Sequence, residues 1–200
     1  MAAPAPEDTY GKVLSAAVDL FGEHGFAGTS LQAIADRVGV TKAALYYHFR
    51  TKDELLDALM RPALNDLERV LDDAERRKGD AARQRVLFEG YVDFLLRYRA
   101  LAVILHHDVS VGTHPAVRPR LGSITARVDG VLQDPARPVE YRVAATVALG
   151  GFYSAIATFP HLPDPELRAV LLDIVRRLLT PRRTRSTAPA PSVRAVPAHG

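Results

Sequence analysis

From residue 10 to residue 178 the apolar side chains recur at intervals of three, four and seven, and nowhere do they alternate with polar ones in a β-branched run. That spacing follows the 3.6-residue turn of a helix and leaves no segment to build a sheet. The chain is therefore expected to be all-α, with about nine helices. The first is expected over residues 7–24, striped by Tyr10, Val13, Leu14, Ala17, Leu20 and Phe21 and stopped by Gly25. The second starts at Thr29 and Ser30, both good N-cap residues, and ends at Gly39. Thr41 caps a short third helix that reaches His48. The fourth begins near Lys52 and carries Leu55, Leu56, Leu59, Leu64, Leu67 and Leu71, with Pro62 inside its pattern. Beyond Gly79, longer and more apolar helices are expected over 81–98, 101–108, 115–132, 139–159 and 165–179.

Composition narrows the setting. There are no cysteines, so disulfides and thiolate metal sites are excluded, and a reduced cytoplasm is the expected location. The start, MAAPAPEDTY, has neither a basic nor an apolar stretch and does not read as a secretion signal. One uncharged run, 17 residues over 143–159, is short for a membrane span, is rich in Ala, Gly, Ser and Thr, and ends at Pro160. A buried helix fits it better, and no membrane partner is expected. Residues 1–6 and 181–200 are rich in Pro and Ala and are expected to be disordered. The net charge of +3 owes four arginines to that basic tail, which leaves residues 1–180 at −1. A DNA-binding body cannot be argued from net charge, only from local pattern.

The local pattern lies in LQAIADRVGVTKAALYYH, residues 31–48. Two short helices that meet at a sharp angle need a small residue where they cross, and Ala35 supplies it. The turn needs a residue that tolerates φ > 0, and Gly39 stands four positions on. Ile34, Val38, Val40 and Leu45 give a minimal core, with Phe49 closing the far end. Lys42, Ala43, Ala44, Tyr46, Tyr47 and His48 then face outward or sideways. Small residues at the start of such a helix let its backbone approach base edges in a major groove. Between Thr41 and Lys52 stand three basic residues and no acid, although residues 1–55 as a whole carry a net −2. An ordinary pair of packed helices would also use a Gly turn. It would not account for the acid-free face with two tyrosines and a histidine.

The sequence TSLQAIADRVGVTKAALYYHFRTKDELL resembles the N-terminal signature of the tetracycline-repressor-like (TetR) regulators. The resemblance runs over residues 10–56, including the FGEHGFAGTS lead-in and the LYYHF…K-ELL ending. It implies an N-terminal three-helix DNA-binding domain over 7–51 and a helical ligand-binding and dimerisation domain over 52–180. It also implies a homodimer on an inverted-repeat operator in double-stranded DNA, released by a small molecule. On the matching positions, Thr29 would cap the second helix and, with Ser30, touch phosphate. Lys42, Ala43 and Ala44 would meet bases. Tyr46, Tyr47 and His48 would meet phosphates and base edges, and Lys52 a further phosphate. This chain departs from the family at Ala43 and Ala44, where Gly and Thr are frequent. Specificity must then lean on Lys42, Tyr46 and the second helix.

The remaining helices offer candidates rather than motifs. Tyr91, Phe94, Tyr98, His106, His107, Phe152 and Tyr153 bring rings and polar groups to helices that should pack together, as a ligand pocket or as ordinary core. His106, His107 and Asp108 do not have metal-ligand spacing, because neighbouring helical residues point about 100° apart. No metal and no cofactor are expected. Ala144, Ala148, Gly151 and Ala155, with Leu171, Ile174 and Leu178, form a candidate dimer surface on the last two helices. Pro62 is expected to kink the fourth helix and is a candidate hinge. Two other functions stay open at this level. One is an enzyme built on Asp108 and the histidines, for which no nucleophile–base–orienter set is present. The other is a helical interaction module without DNA binding.

Overall fold

The computed structural model describes residues 6–180; the expectations for residues 1–5 and for the 181–200 tail lie outside that range. The described residues form ten helices and no strand. They are α1 (Pro6–Gly28), α2 (Leu31–Val38), α3 (Lys42–His48), α4 (Lys52–Glu75) and α5 (Asp80–Arg97). Then follow α6 (Arg99–His107), α7 (Val109–Gly112), α8 (Arg118–Leu132), α9 (Val139–Thr158) and α10 (Asp164–Leu179). The element beyond the expected nine is α7, a single turn capped by the Asp108 carboxylate on the Ser110 N–H. One turn is too short to carry a periodic apolar signal.

Three side-chain caps set the N-terminal geometry. Ser30 accepts from the Ala33 N–H, Thr41 from Ala44 and Thr51 from Glu54, each at 3.1 Å. The α2 cap is therefore Ser30 and not Thr29. Gly39 adopts φ +76° and returns its N–H to the carbonyls of Ala35 and Asp36, which turns the chain into α3. Gly25, at φ +73°, breaks the regular course of α1 where the sequence pattern places its stop. Ile34, Ala35, Leu45 and Phe49 are buried against Val13, Ala17, Leu20 and Phe21 of α1. Truncation of Leu45 to Ala would cost about 2–5 kcal/mol by the usual transfer and cavity terms.

The longest helix, α4, links this unit to the rest. It continues through Pro62, whose ring lies on its exposed side, and buries all six leucines of its stripe. Its main neighbour is α5. The two approach so closely at Gly90 that a Cβ there would lie 2.5 Å from Val70 Cγ1. On another side α8 is tied to α4 by arginines. Arg120 reaches Glu68 and Asn65, and Arg127 reaches Glu75 and Asp72, at 2.6–3.0 Å. The Arg127 guanidinium beside Glu75 holds that carboxyl below its usual range. Helices α9 and α10 pack on each other, and both contact α5. The buried apolar residues form one continuous cluster from Val13 to Val175. No helix among the described residues is long and apolar enough to cross a membrane.

Candidate nucleic-acid interface

Helix α3 has one residue wholly inside, Leu45, and its remaining side chains project away from that anchor. Lys42 and Ala43 are exposed, and Ala44 and His48 are half-buried. Tyr46 is 41% exposed and Tyr47 84%. At these exposures both phenol hydroxyls are free to meet a partner. The Lys42 ammonium lies 5.5 Å from the centre of the Tyr46 ring, so charge and phenol occupy one patch. Tyr47 and His48 meet edge to face at 5.2 Å, and Tyr10 of α1 supports His48 at 5.9 Å. Tyr10 also stacks on Phe49 at 5.2 Å. Arg50 is exposed just beyond α3, with its N–H bonded to Glu54. Of the expected contact residues, Lys42, Ala43, Ala44, Tyr46, Tyr47 and His48 lie on this helix, and Ser30 is exposed at the start of α2.

The side chains of two expected phosphate contacts, Thr29 and Lys52, are engaged within the chain. Thr29 is 3% exposed, and its hydroxyl donates inward to Gly25 O at 2.8 Å and Leu20 O at 3.1 Å. Its single proton is shared between these two carbonyls beside the α1 break, so the hydroxyl faces inward and does not cap α2. Lys52 donates through Nζ to Phe26 O at 2.5 Å, Thr29 O at 2.8 Å and Ala27 O at 3.3 Å. Its charge lies 4.4 Å from the Phe26 ring centre. Three carbonyls match the three donors of an ammonium.

The aromatic candidates of the body are partly brought together. Tyr91 and Phe94 of α5 and Tyr98 at its C-cap follow one another with neighbouring ring centres 6.2 and 5.3 Å apart, and Phe152 of α9 lies 6.4 Å from Tyr91. Tyr153 meets the His106 ring at 4.1 Å, and the exposed His107 contacts only the outer edge of His106 among these rings, at 5.3 Å. Two of the three phenols already have partners: Tyr98 donates to Asp66 at 2.7 Å, and Tyr153 to Ala102 O. Burial pushes the Tyr91 phenol up to about 12. Two clefts of about 520 Å³ each lie elsewhere. One lies between Glu75, Arg83, Arg127 and Pro135, the other between Thr113, Pro115, Arg118 and Gly122. Among the described residues no three His, Asp or Glu side chains converge as metal ligands would.

The expected dimer surface divides in two. Ala148 and Leu171 are buried within the chain itself, in the α9–α10 core, and are not available to a partner. Ala144 and Ala155 are half-buried. Gly151, Ile174 and Leu178 are exposed, and they are joined by Val143, Val147 and Val170, which the sequence pattern did not single out. Val143 and Val147 are four apart, as are Val170, Ile174 and Leu178, so each helix carries a second apolar stripe pointing away from its core stripe. Two apolar stripes on one helix are the signal that could have found them.

The comparisons agree with this architecture. Residues 13–59 match the family model described as bacterial regulatory proteins, tetR family. The HTH-type transcriptional repressor KstR2 of Rhodococcus jostii (strain RHA1) is 37% identical over 73 residues, which is 34% of this chain and 36% of that protein. KstR2 of Mycobacterium tuberculosis is 30% identical over 118 residues, 58% of each chain. The chain thus aligns with roughly a third to under two-thirds of these relatives' length. The HTH-type transcriptional repressor Rv3405c of M. tuberculosis (strain ATCC 25618 / H37Rv) matches much further, at 31% identity over 183 residues, 88% of this chain and 91% of that one. Among solved structures, SCO3833, a TetR regulator from Streptomyces coelicolor A3, superposes with a TM-score of 0.71 at 25% identity, over 84% of this chain and 89% of that one. An all-helical chain with an N-terminal helix-turn-helix, matched along nearly its whole length by a relative of this kind, belongs to the TetR family of bacterial transcription regulators.

Proposed function

We propose that this regulator is a repressor that binds an inverted-repeat operator as a homodimer and is released by a small molecule. Residues 7–51 act as the DNA-binding unit and residues 52–180 as the ligand-binding and dimerisation body. The observation that carries the proposal is the exposed, acid-free face of α3, where Lys42, Tyr46 and Tyr47 project from a helix fixed at Thr41 and Leu45. Lys42 would reach a base edge or phosphate, the tyrosine hydroxyls would donate to phosphate, and Ala43 and Ala44 would admit the backbone to the groove. Ser30 would present its helix N-terminus to the backbone of the DNA.

The exposed stripes of Val143, Val147 and Gly151 on α9 and of Val170, Ile174 and Leu178 on α10 would pair with their copies across a two-fold axis. That axis would set two copies of α3 roughly 34 Å apart, one turn of duplex. The α5–α6–α9 aromatic cluster is the proposed ligand site, with the Tyr91 phenol, packed among its rings, as a polar anchor. Pro62 is the proposed hinge between ligand and operator. Repressors among the relatives, Rv3405c and KstR2, support the sign of regulation.

Selection of duplexes from a random-sequence pool tests the proposal. The wild type should enrich an inverted repeat, and Lys42→Ala should weaken its binding by about 1–3 kcal/mol if the contact is to a base. Tyr46→Phe should cost less. Failure to enrich any sequence, or unchanged affinity in both variants, would refute the assignment of α3.

A further inference from the structure

Phe26 stands in the turn from α1 into α2, directly after the break at Gly25. Both of its backbone polar groups are held by side chains from distant parts of the chain. Its N–H donates to Asp108 Oδ2 at 2.6 Å, at the corner between α6 and α7. Its carbonyl accepts from Lys52 Nζ at 2.5 Å, at the first residue of α4. The same ammonium binds the carbonyls of Ala27 and Thr29, while the Thr29 hydroxyl binds that of Gly25. The ring of Phe26 lies against Lys52 and, at 5.4 Å, against His114, whose Nε2 is 3.3 Å from Asp53 of α4. Asp108 is itself fixed, since Oδ1 accepts from Ser110 Oγ at 2.5 Å and from Ser110 N–H at 2.9 Å. These bonds, that of Ser110 foremost, hold the carboxyl below its usual range, so it stays an ionised acceptor for Phe26 at neutral pH.

We infer that Lys52 and Asp108 are positioning residues for operator binding, whose side chains hold the two backbone groups of Phe26 and fix where α2 starts, turned into the chain rather than towards DNA. The inference rests on the DNA-binding function proposed above. Helix α2 begins two residues past Thr29, after its cap Ser30, and carries α3 through the Gly39 turn. A tilt at the turn is therefore delivered to the recognition helix, where loss of the supporting shell costs affinity even when every contacting side chain is present. A lysine at a helix start near DNA would ordinarily be assigned to a phosphate. Here its three donors already have three acceptors.

The test uses the full chain and a duplex selected by the wild-type protein. Binding is measured at several salt concentrations, with thermal melting to show that each variant is folded. A positioning role predicts that Lys52→Met and Lys52→Arg both weaken binding about tenfold or more. Arginine keeps the charge, but its planar fork cannot aim three donors at three converging carbonyls. The salt dependence should match the wild type. A phosphate contact predicts instead that Lys52→Arg binds as the wild type does and that Lys52→Met flattens the log–log salt slope by about 0.9 per subunit. That result overturns the inference while leaving the DNA-binding function standing. In Asp108→Ala the Phe26 amide should exchange with solvent about tenfold faster or more, while amides 42–48 keep their protection and operator affinity falls. Unchanged Phe26 exchange, or faster exchange with unchanged affinity, overturns the role of Asp108. A wild-type chain that enriches no duplex overturns the functional proposal itself, and the inference with it.

Discussion

Up to Lys52 polar side chains are bonded mainly to backbone groups, whereas in the long helices that follow they are bonded mainly to one another. Thr29, Ser30, Thr41, Thr51 and Lys52 each satisfy an N–H or carbonyl at a helix end. In the body Arg168 pairs with Asp93, Arg99 with Asp164 and Arg137 with Asp80 across helix faces. The difference follows from helix length. Short helices have a high proportion of end groups that nothing inside the helix can satisfy, so their side chains must do it. Long helices satisfy themselves and are assembled by apolar packing. The first arrangement needs particular residues at particular positions; the second accepts many equivalent sets.

That contrast can be broken by mutation. The largest effect should come from volume in the body: Leu87→Ala, at a fully buried site on α5, should lose about 2–5 kcal/mol in denaturant unfolding. A loss under about 1 kcal/mol would show that the body repacks freely. Next, Thr29→Val keeps the shape of a buried side chain but leaves the Gly25 and Leu20 carbonyls without their hydroxyl. It should cost about 1–3 kcal/mol, the penalty for unsatisfied buried groups. A neutral Thr29→Val would remove the distinction between the two regions. The smallest effect should be Arg168→Met. It deletes a bidentate pair with Asp93, but both partners are more than a third exposed, so solvent screening should hold the loss to about 0–1 kcal/mol.

The same contrast governs how much of the molecule could be read from its residues. The Ser30 and Thr41 caps, the Gly39 turn, the Leu45 anchor and the exposed Lys42, Tyr46 and Tyr47 follow from local spacing and appear where expected. The roles of Thr29 and Lys52 did not follow. Both residues suit a DNA contact by type, and the carbonyls that engage Lys52 come from 23–26 positions away. Spacing along a chain carries no signal for such a pairing. Val143, Val147 and Val170 were missed for a different reason: an apolar residue reads the same whether it faces its own core or water. Ala148 and Leu171 show the reverse error. The small-residue surface was seen, but it serves packing within the chain.

The grip of its neighbours on α4 is uneven along its length. Beyond Pro62 the helix is pinned on several sides, by the Gly90–Val70 approach, by Tyr98 on Asp66, and by Arg120 and Arg127 on residues 65–75. Before Pro62 the bonds to other segments gather at the first two residues, through Lys52 and Asp53. If α4 bends at Pro62, as the proposed hinge requires, it would work as a cantilever, with the far half clamped in the body and the near end, packed on the DNA-binding helices, as the tip. A beam supported in that way flexes next to its support, and a small angle there becomes a displacement that grows with distance to the tip. With a rise of about 1.5 Å per residue, the ten residues from Pro62 back to Lys52 give a lever arm of roughly 15 Å, so a rotation of about 10° would move the Phe26 turn by between 2 and 3 Å. Such a shift is comparable with the hydrogen-bond lengths on which reading a base edge depends.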